Sequence, residues 1–451
     1  MLTIDSQEST PLLDASSLTE TKPGYGIASN EHIAKPKAQN SWWATGIQCL
    51  NSMLGSGILA FPYVLSEVGW VTFTLEILFF ATVQFASSAM LIEVGRRLGL
   101  FNFSKVTEHI FGPLAANVLK LAIVAAMSGA LMSYLNVIGS LGHAVVTQWG
   151  YGGSFLGSYS GFMLLVVALV TPLTLFRSYG ELTPISLLSL TFIIVLVFFA
   201  LGEGLWLNGG ELYTAQAWPL TWTSPIQTLG TFAFGGSIQA VIFEAYLSVR
   251  EDDKPKFISA TLALAVGCGF LLLTLMGVFG YGAFGSECDS DIMSSFNSSY
   301  VVVQIAQMIA VLHFTFFIPN AFIIMRLFAC ELVGYNPLTL ELPSFAVITL
   351  CLWAFPVVVM AWIPEDDVDG TFAYIVDLSG DLPFGFCAFT LPAALYIKVT
   401  DNLPVEVGTA TYMYYISRIT FGLGLFLMIV CPVTDTYYFI KACVSTTCSS
   451  Y

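Results

Sequence analysis

The chain has 451 residues, of which 56% are hydrophobic and 10% charged, with a formal net charge of −15. Soluble domains carry about 25% charged residues, so this composition excludes an ordinary soluble enzyme and a disordered protein. Fifteen Lys and Arg against 30 Asp and Glu exclude a phosphate-binding surface and a nucleic acid partner.

Residues 1–40 are polar and carry no apolar run, so they read as a disordered cytosolic tail rather than a cleaved leader. Within the tail, Glu8-Ser9-Thr10-Pro11-Leu12-Leu13 has the form of an acidic dileucine sorting signal. Glu8, Leu12 and Leu13 would be captured as an extended peptide by a clathrin adaptor, directing the protein to endosomes, lysosomes or vacuoles.

Eleven apolar spans follow, at 43–65, 70–92, 118–146, 160–176, 184–201, 225–247, 257–284, 300–332, 342–362, 370–397 and 414–438. A helix of about 20 apolar residues crosses the roughly 30 Å of hydrocarbon. Backbone groups in lipid must be satisfied internally, so these long uniform spans are helices rather than barrel strands. The expected fold class is an all-α polytopic membrane protein. With the N-terminus in the cytosol, 14 of the 15 Lys and Arg fall on the cytosolic side and only Lys441 falls opposite. Residues 41–440 then form one transmembrane domain and 441–451 a short lumenal or extracellular tail. The loops on that face are acidic and hold the sequon Asn297-Ser298-Ser299, which makes Asn297 a glycosylation candidate.

The first span contains Asn51-Ser52-Met53-Leu54-Gly55-Ser56-Gly57-Ile58-Leu59-Ala60-Phe61-Pro62. Two glycines and a proline break a membrane helix, and unwound backbone is tolerated only where it is buried or lines a cavity. N–H groups freed after the break suit a carboxylate; the alternative is a close-packing motif between helices. The sixth span is interrupted at Phe232-Ala233-Phe234-Gly235-Gly236-Ser237, whose carbonyls could accept from an ammonium group. Two such breaks, at positions one and six, are the trace of two inverted five-helix repeats with a substrate site between them.

Ionisable residues inside spans are costly and are functional suspects. Glu244 is a proton acceptor or a cytosolic-end carboxylate paired with Arg250. His313 binds a proton or packs as a hydrogen-bonded imidazole. Asp377 and Asp381 face a vestibule or the bundle. The nine cysteines form no metal pattern, and Cys288, Cys443 and Cys448 lie on the side where a disulfide can form.

Residues 51–70, NSMLGSGILAFPYVLSEVGW, resemble the first-helix signature of the amino acid/auxin permease family. FAFGGSIQAVIFEAY resembles its sixth helix, LSVREDDKPKF the loop after it, and GYGAFGSECDSDI the end of its seventh. Pro319 with Arg326, and Leu391-Pro392, also fit, so the resemblance covers about residues 41–438. That family includes sodium-coupled and proton-coupled amino-acid transporters and vacuolar amino-acid transporters. The resemblance implies eleven helices in a LeuT-type 5+5 inverted repeat plus one C-terminal helix. By position, Asn51, Gly55, Ser56, Gly57 and Ile58 would line the carboxylate side, and Phe232, Phe234, Gly235 and Ser237 the amino and side-chain end. The sequence departs from the family twice. Gly235-Gly236-Ser237 replaces the Glu or Gln with Cys-His that often follows the aromatic triplet. Phe317-Ile318 replace the hydroxyl residues of sodium-coupled members, leaving Thr315 as the nearest sodium ligand.

The leading expectation is a secondary active transporter of neutral amino acids, coupled to H+ rather than Na+, in a lysosomal, vacuolar or endosomal membrane, with the plasma membrane as the alternative. The partners expected are an amino acid and the lipid bilayer, with no cofactor, no metal and no nucleotide-binding loop. A second class is an amino-acid sensor that signals through its tail, and truncating the tail separates the two. An integral membrane enzyme is disfavoured by only four His, two of them (His32 and His109) outside the spans.

Overall fold

The computed structural model describes residues 40–176, 183–337, 339–362, 368–401 and 409–448. The dileucine residues Glu8, Leu12 and Leu13 lie outside them, as do the side chains of Cys443 and Cys448.

Helix α1 (Trp42–Met53) stops at Leu54. Gly55 is extended, and a 3-10 turn over Ser56–Ala60 leads into α2 (Phe61–Leu98). Pro62 sits in the first turn of α2, where its missing N–H forfeits no helical bond. Gly69, at φ 72° and ψ 163°, divides α2 between the expected spans 43–65 and 70–92. Positive φ favours glycine, and a Cβ here would meet the Trp218 carbonyl oxygen at 2.7 Å. The next helices are α3 (Phe103–Phe111), α4 (Pro113–Val146), α5 (Tyr159–Val170) and α6 (Thr183–Leu207). The region of the sixth span is divided into α7 (Ser224–Gln227), α8 (Leu229–Gly236) and α9 (Ile242–Ser248). Beyond it come α10 (Ala263–Phe284), α11 (Ile292–Ser295), α12 (Val301–Leu332) and α13 (Leu342–Ala361). Then α14 (Val368–Ser379) passes through a π-helical stretch, Gly380–Thr390, into α15 (Leu391–Thr400), and α16 (Thr409–Ile429) precedes α17 (Cys431–Cys448).

Among the described residues, eight helical runs are long and apolar enough to cross a bilayer, and Tyr159–Leu175 is a shorter apolar one. The protein is an all-helical polytopic membrane protein, as lipid requires of a chain whose backbone must bond within itself. Helix α4 lies along α12, and α10 packs on both α2 and α6. Helix α13 instead exposes Leu342, Val347, Leu350, Phe355 and Val358, the surface expected of a helix that faces lipid.

Two sets of backbone bonds define the ends of the bundle. Asn40 N donates to Ser248 O at 3.1 Å and Arg250 N to Asn40 O at 3.0 Å, so α1 begins where α9 ends. Trp70 N donates to Gln216 O at 2.9 Å and Leu220 N to Glu67 O at 2.9 Å, which folds the α6–α7 connection over the Gly69 turn. These are the Asn40 end and the Gly69 end. Arg326, 1% exposed, donates to the carbonyls of Thr174 and Phe176 at 2.5 Å each and packs over the Phe345 ring. It satisfies carbonyls released where α5 runs out in a 3-10 turn.

Candidate substrate cavity

The two helix breaks meet at mid-bundle. A Cβ on Gly57 would lie 2.9 Å from Phe234 Cδ1 and 3.1 Å from Gly235 Cα, so absence of a side chain at Gly57 lets the breaks touch. The first N–H groups of a helical segment have no partner within it; after the first break these belong to Ser56 and Gly57.

Beside this contact is a cavity of about 40 Å³, room for about three waters at roughly 10–15 Å³ each. Ser52, Met53 and Gly55 form one wall, and Phe234, Ser237, Ile238, Ala240 and Val241 face them from the second break. Helix α4 adds Met127, Ala130 and Tyr134, α12 adds Phe317, Asn320, Ala321 and Ile324, and the π-helical stretch adds Phe384. No lining side chain is charged. Most of the lining from α1, α9's approach and α12 lies toward the Asn40 end. Toward the Gly69 end the space is filled by aromatic rings: Phe232 stacks on Phe80 at 5.2 Å and meets Phe61 edge-on at 5.1 Å. Phe234 meets Phe384 edge-on at 5.7 Å.

The nine candidate binding residues divide by position. Gly55, Phe234 and Ser237 line the cavity, and Gly57 and Gly235 lie at the contact between the breaks. Asn51 is 1% exposed with its Oδ1 unpartnered. Ser56 Oγ is 2.6 Å from Ser133 Oγ, which ties the break to α4. Ile58 and Phe232 are buried outside the lining.

The second break is held by side chains not singled out in the sequence. Gln239 Oε1 accepts from Ile238 N at 3.0 Å, and Gln239 Nε2 donates to Gln84 Oε1 at 2.6 Å. Gln84 Nε2 donates to Ser237 Oγ at 3.0 Å, and Ser87 Oγ donates to Ala388 O. The broken backbone is thus bonded to α2 and, through it, to the π-helical stretch. Tyr134 is the other addition: a Cβ on Gly55 would lie 2.8 Å from its hydroxyl, and its ring stacks on Phe314 at 5.7 Å. The signal for all of these was a polar group in an apolar span.

Among the ion-coupling candidates, Thr315 Oγ1 donates to Val311 O in its own helix at 2.7 Å. His313 is fully buried, with Nδ1 bonded to Ser189 O at 2.8 Å and the ring against the Leu54 backbone. Glu244 is exposed near the Asn40 end, close to Glu331 and in no ion pair among the described residues. Asp377 Oδ1 accepts from Thr231 Oγ1 at 2.6 Å, linking α14 to α8. Asn297 is exposed before α12, its Oδ1 accepting from Ser299 N at 2.9 Å. Cys288 is a free, buried thiol that donates to Gly280 O at 3.7 Å.

Residues 38–434 match the profile of the family described as transmembrane amino acid transporter protein. The chain is 23% identical over 406 residues to vacuolar amino acid transporter 5 of Schizosaccharomyces pombe, covering 87% of this chain and 92% of that one. It is 23% identical over 271 residues to human solute carrier family 38 member 10, covering 58% of this chain and 24% of the relative. Among solved structures, the chain superposes on MhsT in complex with L-phenylalanine with a TM-score of 0.54 at 15% identity, covering 88% of this chain and 99% of that one. Mhp1, a nucleobase-cation-symport-1 family transporter in a closed conformation, gives 0.55 at 10% identity, covering 90% and 93%.

Proposed function

The chain belongs to the transmembrane amino acid transporter protein family, and from that premise we propose a proton-coupled carrier of neutral L-amino acids that works by alternating access. Membership places it among transporters rather than enzymes. One observation carries the substrate site: two interrupted helices touch at Gly57 and Phe234–Gly235 beside a cavity with no charged side chain. The substrate carboxylate would meet the N–H groups near Gly55–Ile58, and its ammonium the carbonyls near Phe232–Gly235. The uncharged lining, with Phe234 and Phe317, supports a neutral side chain. A cavity of about 40 Å³ must widen to admit an amino acid, which alternating access supplies. In this reading eleven spans form two inverted five-helix repeats plus a final helix, with the broken spans at positions one and six.

Proton rather than sodium coupling is supported by the hydroxyl of Thr315, committed to Val311 O, with His313 beside the break as one coupling candidate. Glu244 and Asp377 are the further coupling candidates. The vacuolar name of the Schizosaccharomyces pombe relative supports a vacuolar or lysosomal membrane. There the N-terminal tail would face the cytosol and present Glu8, Leu12 and Leu13 to a clathrin adaptor. The test is uptake of labelled amino acids into proteoliposomes under an imposed proton or sodium gradient. Proton-driven accumulation is the expected result. Sodium-driven uptake would overturn the coupling, and binding without uptake under either gradient would overturn the carrier in favour of a sensor.

A further inference from the structure

A pair of aspartates lies deep in the bundle with no donor to satisfy it. Asp381, in the π-helical stretch, is 0% exposed and Asp435, in α17, is 7% exposed. Their side chains are within hydrogen-bonding reach of each other, yet among the described residues no N–H or O–H group reaches any of their four oxygens. Two facing carboxylates cannot both stay charged at such range without a proton or a counter-ion between them, and an unpaired charge in an apolar interior is costly.

Among the described residues, the neighbouring elements supply no counter-charge. Helix α14 contributes Asp377, already bonded to Thr231, and α17 contributes the thiol of Cys431. From α2, Glu67 accepts from Ser224 Oγ at 3.0 Å, and Tyr63 interacts with both Glu67 and Asp377. Helix α8 has no titratable side chain. The basic residues of the packed helices are placed elsewhere: Arg418 of α16 pairs with Asp401 at 3.0 Å, Arg97 of α2 with Glu93 at 2.7 Å, and Lys120 of α4 bonds Asn117. Arg96 of α2 bonds the Lys254 carbonyl, Lys398 closes the last turn of α15, and Lys441 of α17 lies over the Tyr438 ring. Helix α4 otherwise presents Tyr134 and His143, the latter bonded to the Gly157 carbonyl. Among the described residues no three His, Cys, Asp or Glu are grouped to hold a metal ion.

The pair is tied to the cavity on its sealed side. Asp381 precedes the cavity-lining Phe384 by one turn of the same segment. Asp377 holds α8 through Thr231, three residues before Phe234. Tyr438, three residues past Asp435, accepts from Thr223 at 3.2 Å in the segment that folds over the Gly69 end.

We propose that Asp381 and Asp435 form the proton-binding site of the transport cycle, sharing one proton while the Gly69 end is closed and exchanging it with solvent as that end opens. A shared proton supplies the missing donor and leaves the pair with a single negative charge. Its loss sets two carboxylates against each other and drives α17 from the π-helical stretch. The inference rests on the proton-coupled reading above and names its site.

The test compares wild type with D381N and D435N in proteoliposomes. Each amide mimics the protonated carboxyl and preserves its shape. Under a one-unit pH gradient, a one-proton carrier accumulates substrate up to about tenfold, since tenfold corresponds to about 1.4 kcal/mol. Because an amide cannot lose the proton that holds the Gly69 end closed, both variants are expected to show no proton-driven accumulation, and to bind labelled substrate in detergent with an affinity that no longer changes with pH. Proton-driven accumulation retained by either variant would overturn the site and leave the carrier intact. A wild type that accumulates nothing under a pH gradient would overturn the proton-coupled reading itself. Should one variant fail to fold, the other carries the comparison. Should both fail, retained proton-driven accumulation in D381E or D435E, which alters the reach between the carboxyls, counts against the shared proton.

Discussion

Gly57 joins the two breaks because it has no side chain. A Cβ there would lie 2.9 Å from Phe234 and 3.1 Å from the Gly235 backbone, and backbone has little room to yield. Replacing Gly57 with Leu overpacks the contact, a cost of about 1–3 kcal/mol or more. Uptake is expected to fall more than about tenfold, while expression and gel-filtration behaviour in detergent stay near wild type. Full uptake by G57L would place the substrate elsewhere. Cys288 behaves in the opposite sense, as a residue made inert by its surroundings. Burial first, and the charge of Asp289 second, push its thiol up to about 12. Because the thiolate is the nucleophile, almost none is present at pH 7. Maleimide is expected to leave Cys288 unmodified in the folded protein and to modify it after denaturation, read by peptide mass.

At the scale of elements, the second break is stable because side chains replace lost helical bonds. Breaking a helix in lipid frees N–H and C=O groups that cost several kcal/mol each if left alone. Gln239 accepts from Ile238 N and donates to Gln84, which in turn donates to Ser237. Gln239→Leu removes both functions and strands the Ile238 N–H and the Gln84 side-chain Oε1. Each stranded group costs about 1–3 kcal/mol, so thermal unfolding in detergent is expected at a lower temperature than wild type. Uptake is expected to fall with it, because Ile238 and Ser237 line the cavity. An unchanged melting temperature would show that water substitutes for the amide.

At the scale of the whole molecule, the cavity reaches toward the Asn40 end and is sealed by aromatic rings toward the Gly69 end. Ser52→Cys is therefore expected to react with a membrane-impermeant thiol reagent applied from the tail side, whereas Phe73→Cys, at a ring that meets Phe61 edge-on at 6.1 Å, is expected to resist it from the opposite side in the same state. Equal reactivity from both sides would contradict a one-sided opening. The fold itself does not name the cargo: transporters of different substrates superpose on this chain with TM-scores of 0.54 and 0.55. Cargo is a property of the site's side chains.

The sequence by itself determined that the protein is helical and crosses a membrane, since lipid leaves so apolar a backbone no other solution than helices or a closed barrel. It also located both helix breaks, because Gly55, Gly57 and Gly235–Gly236 have a local conformational cost that needs no partner to be read. The tertiary structure decided which polar side chains meet. Asp381 and Asp435 are far apart in the chain, as are Gln84 and Gln239, and apolar spans carry too little periodicity to say which way each helix is turned. Helix rotation set by packing turned Phe232 and Ile58 away from the cavity, brought Tyr134 to its edge and left two aspartates facing each other.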